Sequence, residues 1–306
     1  MVPRIVARLS SIGLCAGICL ASLSAVSQTG SSRQIAAVDL VRATVANEAA
    51  ASQRDSTKYM FRGFKKNPQG SQTRLYIETK EAMAGLTTAY NDRPLTPQQM
   101  QNEKGRLAGL AGNSAQLQRK QQQEKEETEH TLRIVKALPD AFLFAYDGTE
   151  IGNATEGRDG KPLTRLKFRP NPAYHCPSHV EEVLAGMQGF LLIDPEEKRI
   201  ARIDGTLFKE VSFGWGIIGH LDQGGRFFVE QKDLGDGSWE VSRMTLDFTG
   251  KVLLVKTLSI KSDEQFSDFH RVPAGTTFGE GVKMLEDEQG KMESGDKVTR
   301  AENKTR

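Results

Sequence analysis

The sequence predicts an α+β fold, an antiparallel sheet covered by helices with a polar helical segment inserted into it. Aromatic residues fall in two blocks, five between Tyr59 and Tyr90 and sixteen from Phe142 onward, with none in the 51 positions from Asn91 to Ala141. Both blocks alternate apolar and polar residues in short runs between turn residues, as half-buried antiparallel strands do. The aromatic-free gap carries helix signals instead. Because Tyr59–Tyr90 is too short to build a core alone, the chain is expected to form one domain over 28–285, with the helical insertion at 95–138. Residues 286–306 are polar and free of aromatics, and are expected to be a disordered tail.

Each element has its own justification. Ser32–Arg54 reads as a helix, with Ile35, Val38, Leu40, Val41 and Val45 near helical spacing and no Gly or Pro inside. Tyr59, Phe61 and Phe64 then alternate with Lys and Arg, and the turn Asn67-Pro68-Gln69-Gly70 leads into a returning strand, Arg74–Thr79. A third strand, Gly85–Tyr90, ends at Asn91-Asp92-Arg93-Pro94. Thr96-Pro97-Gln98-Gln99 is a helix start, with Thr as N-cap, Pro at the first helical position and Gln99 reaching back. Asn113-Ser114 breaks and recaps this helix, and a second one runs to Leu138, where Pro139 stops it. Gln118–Thr131 has no apolar residue, so it reads as a solvated or partner-binding arm, supported by i,i+4 pairs such as Lys120–Glu124.

The second block is dense in strands, at 141–146, 164–169, 189–193, 199–203, 206–213, 226–232, 238–248 and 251–260. Short helices are expected at 180–187, behind Ser178, and at 277–285. Asp204-Gly205, Gly235-Asp236-Gly237 and Thr249-Gly250 read as turns between successive strands, which makes the arrangement a meander.

Residues 1–27 read as a cleaved export leader. Arg4 and Arg8 precede an uncharged apolar stretch, Leu9–Val26, and Ala25-Val26-Ser27 supplies the small-x-small cleavage pattern. The expected location is therefore periplasmic or extracellular. Cleavage would remove Cys15 and Cys19, leaving Cys176 alone. It would also remove the two excess positive charges of the +2 chain, leaving a mature balance of 39 against 39. An electroneutral chain lacks the footprint of a nucleic-acid binder, and no nucleic-acid partner is expected.

No catalytic motif emerges. Gly214–Gly219 fits G-x-G-x-x-G, but a second strand follows at once and leaves no room for the phosphate-binding helix. His175-Cys176-Pro177-Ser178-His179 brings together three potential metal ligands, too few without a second cluster, so no metal and no cofactor is expected. Asp233–Gly237 lacks the ligand pattern of a calcium loop. The Gly-rich stretch 213–225 is apolar, with Phe213, Trp215, Ile217 and Ile218. It serves either as packing that closes one end of the sheet or as a lip for an apolar ligand.

The layout of leader, first helix, paired strands, helical interruption and long meander resembles the outer-membrane lipoprotein-sorting (LolA-like) superfamily. The stretch Arg202–Phe208, followed by Phe227–Gln231 and Trp239–Phe248, is most similar to it. The resemblance implies a strongly curved sheet, an unclosed β-barrel, wrapped around helices, and the binding of lipid tails or lipoproteins in its concave face. It carries no functional motif. The expected function is a non-enzymatic one, binding a lipid or acylated protein through Phe213, Trp215, Ile217, Ile218, Phe227, Trp239 and Phe248. Transient contact with a membrane surface is compatible with this. The alternative is an interaction or sensor module that meets a periplasmic protein through the polar arm at 97–138.

Overall fold

The computed structural model describes residues 31–53, 57–213, 219–252 and 256–304. The expected leader and the candidate residues Trp215, Ile217 and Ile218 lie outside these. The fold is α+β, with an open, curved antiparallel sheet. Its strands are β1 (Lys58–Asn67), β2 (Gly70–Glu78), β3 (Met83–Tyr90), β4 (Arg93–Pro94), β5 (Phe142–Ile151), β6 (Pro162–Pro170), β7 (Met187–Asp194), β8 (Arg199–Leu207), β9 (Val211–Phe213), β10 (Gly219–Leu221), β11 (Arg226–Asp233), β12 (Trp239–Val252) and β13 (Lys256–Val272). The order is β4-β3-β2-β1-β13-β12-β11-β8-β7-β6-β5, and β10 bridges β12 and β9. The helices are α1 (Ser31–Gln53), α2 (Pro97–Ala111), α3 (Ser114–Ala141), a single turn α4 (His179–Glu182) and α5 (Phe278–Lys304), with a 3-10 turn at Val183–Gly186.

Where the sequence suggested one domain, the chain divides into two compact units: Met1–Ser56 with Lys125–Asp263, and Thr57–Glu124 with Glu264–Arg306. The first block of aromatics does not have to build a core alone, because Val272, Phe278, Val282 and Leu285 from the far end of the chain complete it.

In the first unit, α1 presents Ala37, Val41 and Val45, four residues apart, to the sheet. The sheet answers with alternate residues, Phe142 and Phe144 on β5, Leu166 and Phe168 on β6, and Leu191 and Ile193 on β7. Fully burying each large side chain contributes roughly 1.5–3 kcal/mol. The helix is also clamped by charge. Buried Glu48 accepts hydrogen bonds from Arg199 Nε and Nη2, both at 3.0 Å, and from the Ile200 amide at 2.9 Å.

In the second unit, α5 packs on β2 and β3, and α2 packs on β3 and α5. The predicted start of α2 is present in full. Thr96 accepts from the Gln99 amide, and Gln99 accepts from the Thr96 amide. Tyr76 lies over Gly63 and Gly85, where an added Cβ would sit 2.6 and 3.0 Å from the ring, and stacks on Phe61 at 5.3 Å. These glycines make room for the ring.

Several expectations need correction. β8 runs straight through Asp204-Gly205, and β12 through Thr249-Gly250. Neither glycine makes a turn: a Cβ on Gly250 would lie 2.0 Å from the His220 carbonyl oxygen of the neighbouring backbone, and one on Gly205 2.7 Å from the Met187 side chain at Sδ. α3 passes Pro139 and ends at Ala141, since a proline in a last turn leaves few bonds to break. Ser178 makes no capping bond to the backbone; its hydroxyl donates to Glu181 Oε2 at 2.9 Å. α5 extends over most of the stretch expected as a disordered tail, because Met284 and Met292 pack on the second unit's core and Gln289 is buried. Along α3, Gln121–Gln123 are exposed and Leu117 and Glu124 half-buried in the second unit, while in the first Thr128, Thr131, Val135 and Leu138 are buried at helical spacing. The predicted Lys120–Glu124 pair forms at 2.7 Å.

Candidate functional site

A cleft of about 450 Å³ opens in the first unit between α1, the end of α3, β5 and the connection that follows β6. Val38 and Arg42 line it from α1, one helical turn apart, and Pro139 and Asp140 from α3. Phe142, Leu143 and Phe144 form the side supplied by β5, and Asn171, Ala173, Tyr174 and His175 the remaining wall. The aromatic side is rigid, because Phe142 packs against Phe168 at 4.7 Å between centroids and edge-on to Phe144 at 6.3 Å.

Asn171 organises the opposite wall. Its amide donates to the Ala141 carbonyl at 2.8 Å, its Nδ2 to the Asp140 carbonyl at 2.9 Å, and its Oδ1 accepts from the Ala173 amide at 3.1 Å. This Asx turn follows directly from Asn171-Pro172, where the strand must end.

At the rim, Arg42 Nη2 and Asp140 Oδ1 form an exposed ion pair at 3.1 Å. Burial, reinforced by the nearby Glu181, Cys176 and Asp140, pushes the Tyr174 phenol up to about 12. Burial also pushes the Cys176 thiol up, with Glu182 and Glu181 adding to it, and Sγ donates to the Glu181 carbonyl at 3.4 Å. Both groups stay protonated at neutral pH, so Cys176 is a poor nucleophile and Tyr174 a poor base. The arrangement suits holding an apolar group beneath a polar rim better than moving protons.

Of the described residues expected to bind an apolar ligand, none lines this cleft; His175, read from sequence only as a potential metal ligand, does. Phe213 and Phe227 are half-buried against the same apolar cluster that contains Phe142 and Phe144, and Phe248 is buried in it. Trp239 is 2% exposed in a separate cluster with Leu163, Leu192 and Ala201, and the Arg199 guanidinium lies 5.6 Å from its ring centroid. The cleft itself had one legible signal, the irregular Asn171-Pro172-Ala173 beside an aromatic strand.

The opposite side of β6–β8 and β11 is charged. Arg202 meets Glu156, Glu150 at 3.4 Å and Glu230 at 3.7 Å, while Arg165 meets Glu150 at 2.5 Å and Asp147 at 2.8 Å and lies 3.8 Å from the Phe190 ring centroid. Residues 152–160, joining β5 to β6, are strapped onto this face. The Gly157 amide donates to the Gln231 carbonyl at 2.8 Å, and its carbonyl accepts from the Asp233 amide at 3.0 Å. Arg158 grips Asp194 through Nε at 2.6 Å and Nη2 at 2.9 Å.

No family model matches the sequence, and no curated protein does. Among solved structures, the chain is similar to one described as an outer membrane lipoprotein-sorting protein domain from Vibrio parahaemolyticus. The identity is 12%, the TM-score 0.28, and the match covers 82% of this chain and 99% of that one. No helix among the described residues is long and apolar enough to cross a membrane.

Proposed function

We propose that this chain is a non-enzymatic binder of an amphiphile, a lipid or the acyl chain of a lipidated protein, whose apolar part enters the cleft beside Phe142 and Phe144. One observation carries this reading: an aromatic-sided cleft of about 450 Å³ under a polar rim, a size within the roughly 300–1,000 Å³ of small-molecule sites. Each methylene taken from water would contribute ~0.8 kcal/mol. An anionic headgroup would find Arg42, whose exposed pair with Asp140 is worth only about 0–1 kcal/mol and is readily given up. Phe213, Phe227 and Phe248 belong to this proposal as neighbours in the same apolar cluster, available to a longer chain. The leader-like residues 1–27 support work in an exported compartment, near a membrane surface.

The test is organic extraction of the purified full-length chain with mass spectrometry of the extract, together with titration by a fluorescent fatty acid. Ala173 is exposed on the cleft wall, so Ala173→Trp fills the opening without entering the core. We expect co-purifying lipid, saturable probe binding, and at least about tenfold weaker binding in the variant at an unchanged Tm. A lipid-free protein that ignores the probe would end this reading.

A further inference from the structure

We propose that Glu210, His220 and Asp222 form a binding site for a divalent transition metal, with zinc the best chemical fit. β9 and β10 pair antiparallel with Val211 opposite Leu221 and Ser212 opposite His220. One residue beyond the pair, Glu210 stands across from Asp222. The two-residue period of a strand sets Glu210, Ser212, His220 and Asp222 on one face. One ligand atom from each of Glu210, His220 and Asp222 lies within 4.8 Å of the others, and His220 Nε2 is 3.4 Å from an Asp222 oxygen.

Three features separate this trio from a chance surface cluster. The carboxylates of Glu210 and Asp222, which flank the strand pair and come within 4.8 Å of each other, repel, and a cation between them removes the repulsion. Each carboxylate is also aimed by a hydroxyl: Thr249 Oγ1 donates to Asp222 Oδ2 at 2.6 Å, and Ser212 Oγ to Glu210 Oε1 at 3.4 Å. Such outer partners orient metal ligands and leave the other carboxylate oxygen for the ion. The supporting backbone is fixed on both sides, because β10 pairs with β12 as well as β9 and the Asp222 amide donates to the Thr249 carbonyl at 2.8 Å.

The donor set argues the metal. One imidazole with two carboxylates suits zinc, at ~2.0–2.2 Å per bond, and leaves a fourth tetrahedral position for water. An imidazole disfavours calcium and magnesium, which take oxygen ligands. Two carboxylates neutralise a divalent ion. His220 is 23% exposed and Asp222 47%, so the ion has an entry path. Lys251 lies opposite His220 on β12, so the register sets a basic residue beside the trio. Its positive charge opposes the ion, so its removal should tighten binding.

The test uses the full-length chain stripped with chelator, then titrated calorimetrically with zinc, magnesium and calcium chlorides, and with cobalt(II) for its visible d–d bands. We expect one equivalent of zinc bound, tetrahedral cobalt bands, and no response to magnesium or calcium. His220→Ala and the conservative Asp222→Asn should each weaken zinc by at least about tenfold, and Lys251→Ala should strengthen it. His175→Ala, beside Cys176 and His179, should leave zinc affinity unchanged, whatever it does to the cleft that His175 lines. No zinc binding, zinc binding indifferent to both His220→Ala and Asp222→Asn, or binding abolished by His175→Ala would each overturn the proposal. Asp222→Asn keeps the shape of its side chain, so the test survives a misfolded His220→Ala. Glu210, His220, Asp222 and Lys251 do not line the apolar cleft, so this result and the lipid result are separable.

Discussion

Glu103 in the second unit and Glu156 in the first are both largely shielded glutamates paired with arginine, yet their protons are held oppositely. Burial alone would raise Glu103, but Arg106, which grips it through Nε and Nη2 at 2.8 Å each, and the Thr87 amide at 2.9 Å outweigh it and hold its pKa at about 2. Glu156 is 2% exposed, and burial lifts it to about 7, Arg202 pulling down and Glu230 and Glu150 pushing up. The difference is one of stoichiometry. Arg106 serves one carboxylate, while Arg202 is shared among Glu150, Glu156 and Glu230. Glu156 Oε1 also finds no hydrogen-bond partner among the described residues. A guanidinium close by does not by itself make a carboxylate acidic; burial and then the charges competing for it decide.

Removing the shared cation tests this most severely. Arg202→Ala leaves three carboxylates facing one another on a half-buried face, and should destabilise the first unit by about 3–5 kcal/mol in urea unfolding. The Gly157 amide of the strap should lose hydrogen-exchange protection first. A loss below about 1 kcal/mol would show that sharing is not what distinguishes the two sites.

Neutralising each glutamate gives a smaller contrast. Glu103→Gln weakens the hydrogen bonds to Arg106 and Thr87 and should cost about 1–3 kcal/mol. Glu156→Gln removes one carboxylate from a crowded set and should be neutral or stabilising at pH 8. Equal losses in the two variants would erase the comparison.

The mildest probe is pH, and the two slopes run in opposite directions. Glu103 is depressed from the usual 4.5, so its stabilisation is complete above 4.5 and fades as pH falls toward 2. Glu156 is raised, so the folded state holds its proton more tightly than the unfolded chain does. Its favourable contribution is complete below 4.5, shrinks as pH rises, and levels off above about 7. Corrected for intrinsic exchange, the Thr87 amide should open on acidification and the Gly157 amide on approach to neutrality.

The elements legible in the sequence were those set by local chemistry. The Thr96 cap, the Asn113-Ser114 break and the alternation on β6 and β7 all depend on residues a few positions apart. What stayed hidden depends on distant partners. Gly205 and Gly250 look like turn residues until their neighbours are in place, the Met187 side chain over the first and the His220 backbone beside the second. The polar stretch of α5 is helical because Met292 meets a core made by strands two hundred residues earlier. The cleft assembles Val38, Pro139, Phe142 and Tyr174 from four segments, and only the irregular Asn171-Pro172-Ala173 hints at it locally.

The second unit is discontinuous, and this gives its strands an order of arrival. β1 must wait for the second half of β13, because the whole of residues 125–263 is synthesised between them. At roughly 5–20 residues per second this interval is on the order of ten seconds. Throughout it, β1 offers an open edge carrying Phe61, which later meets Phe266 at 6.2 Å and Phe269 at 5.3 Å, and Tyr59, which meets Phe269 at 6.4 Å. An unpaired, aromatic strand edge is a template for another chain. Until the residues after 263 have been made, the second unit cannot close and β1 remains its open edge.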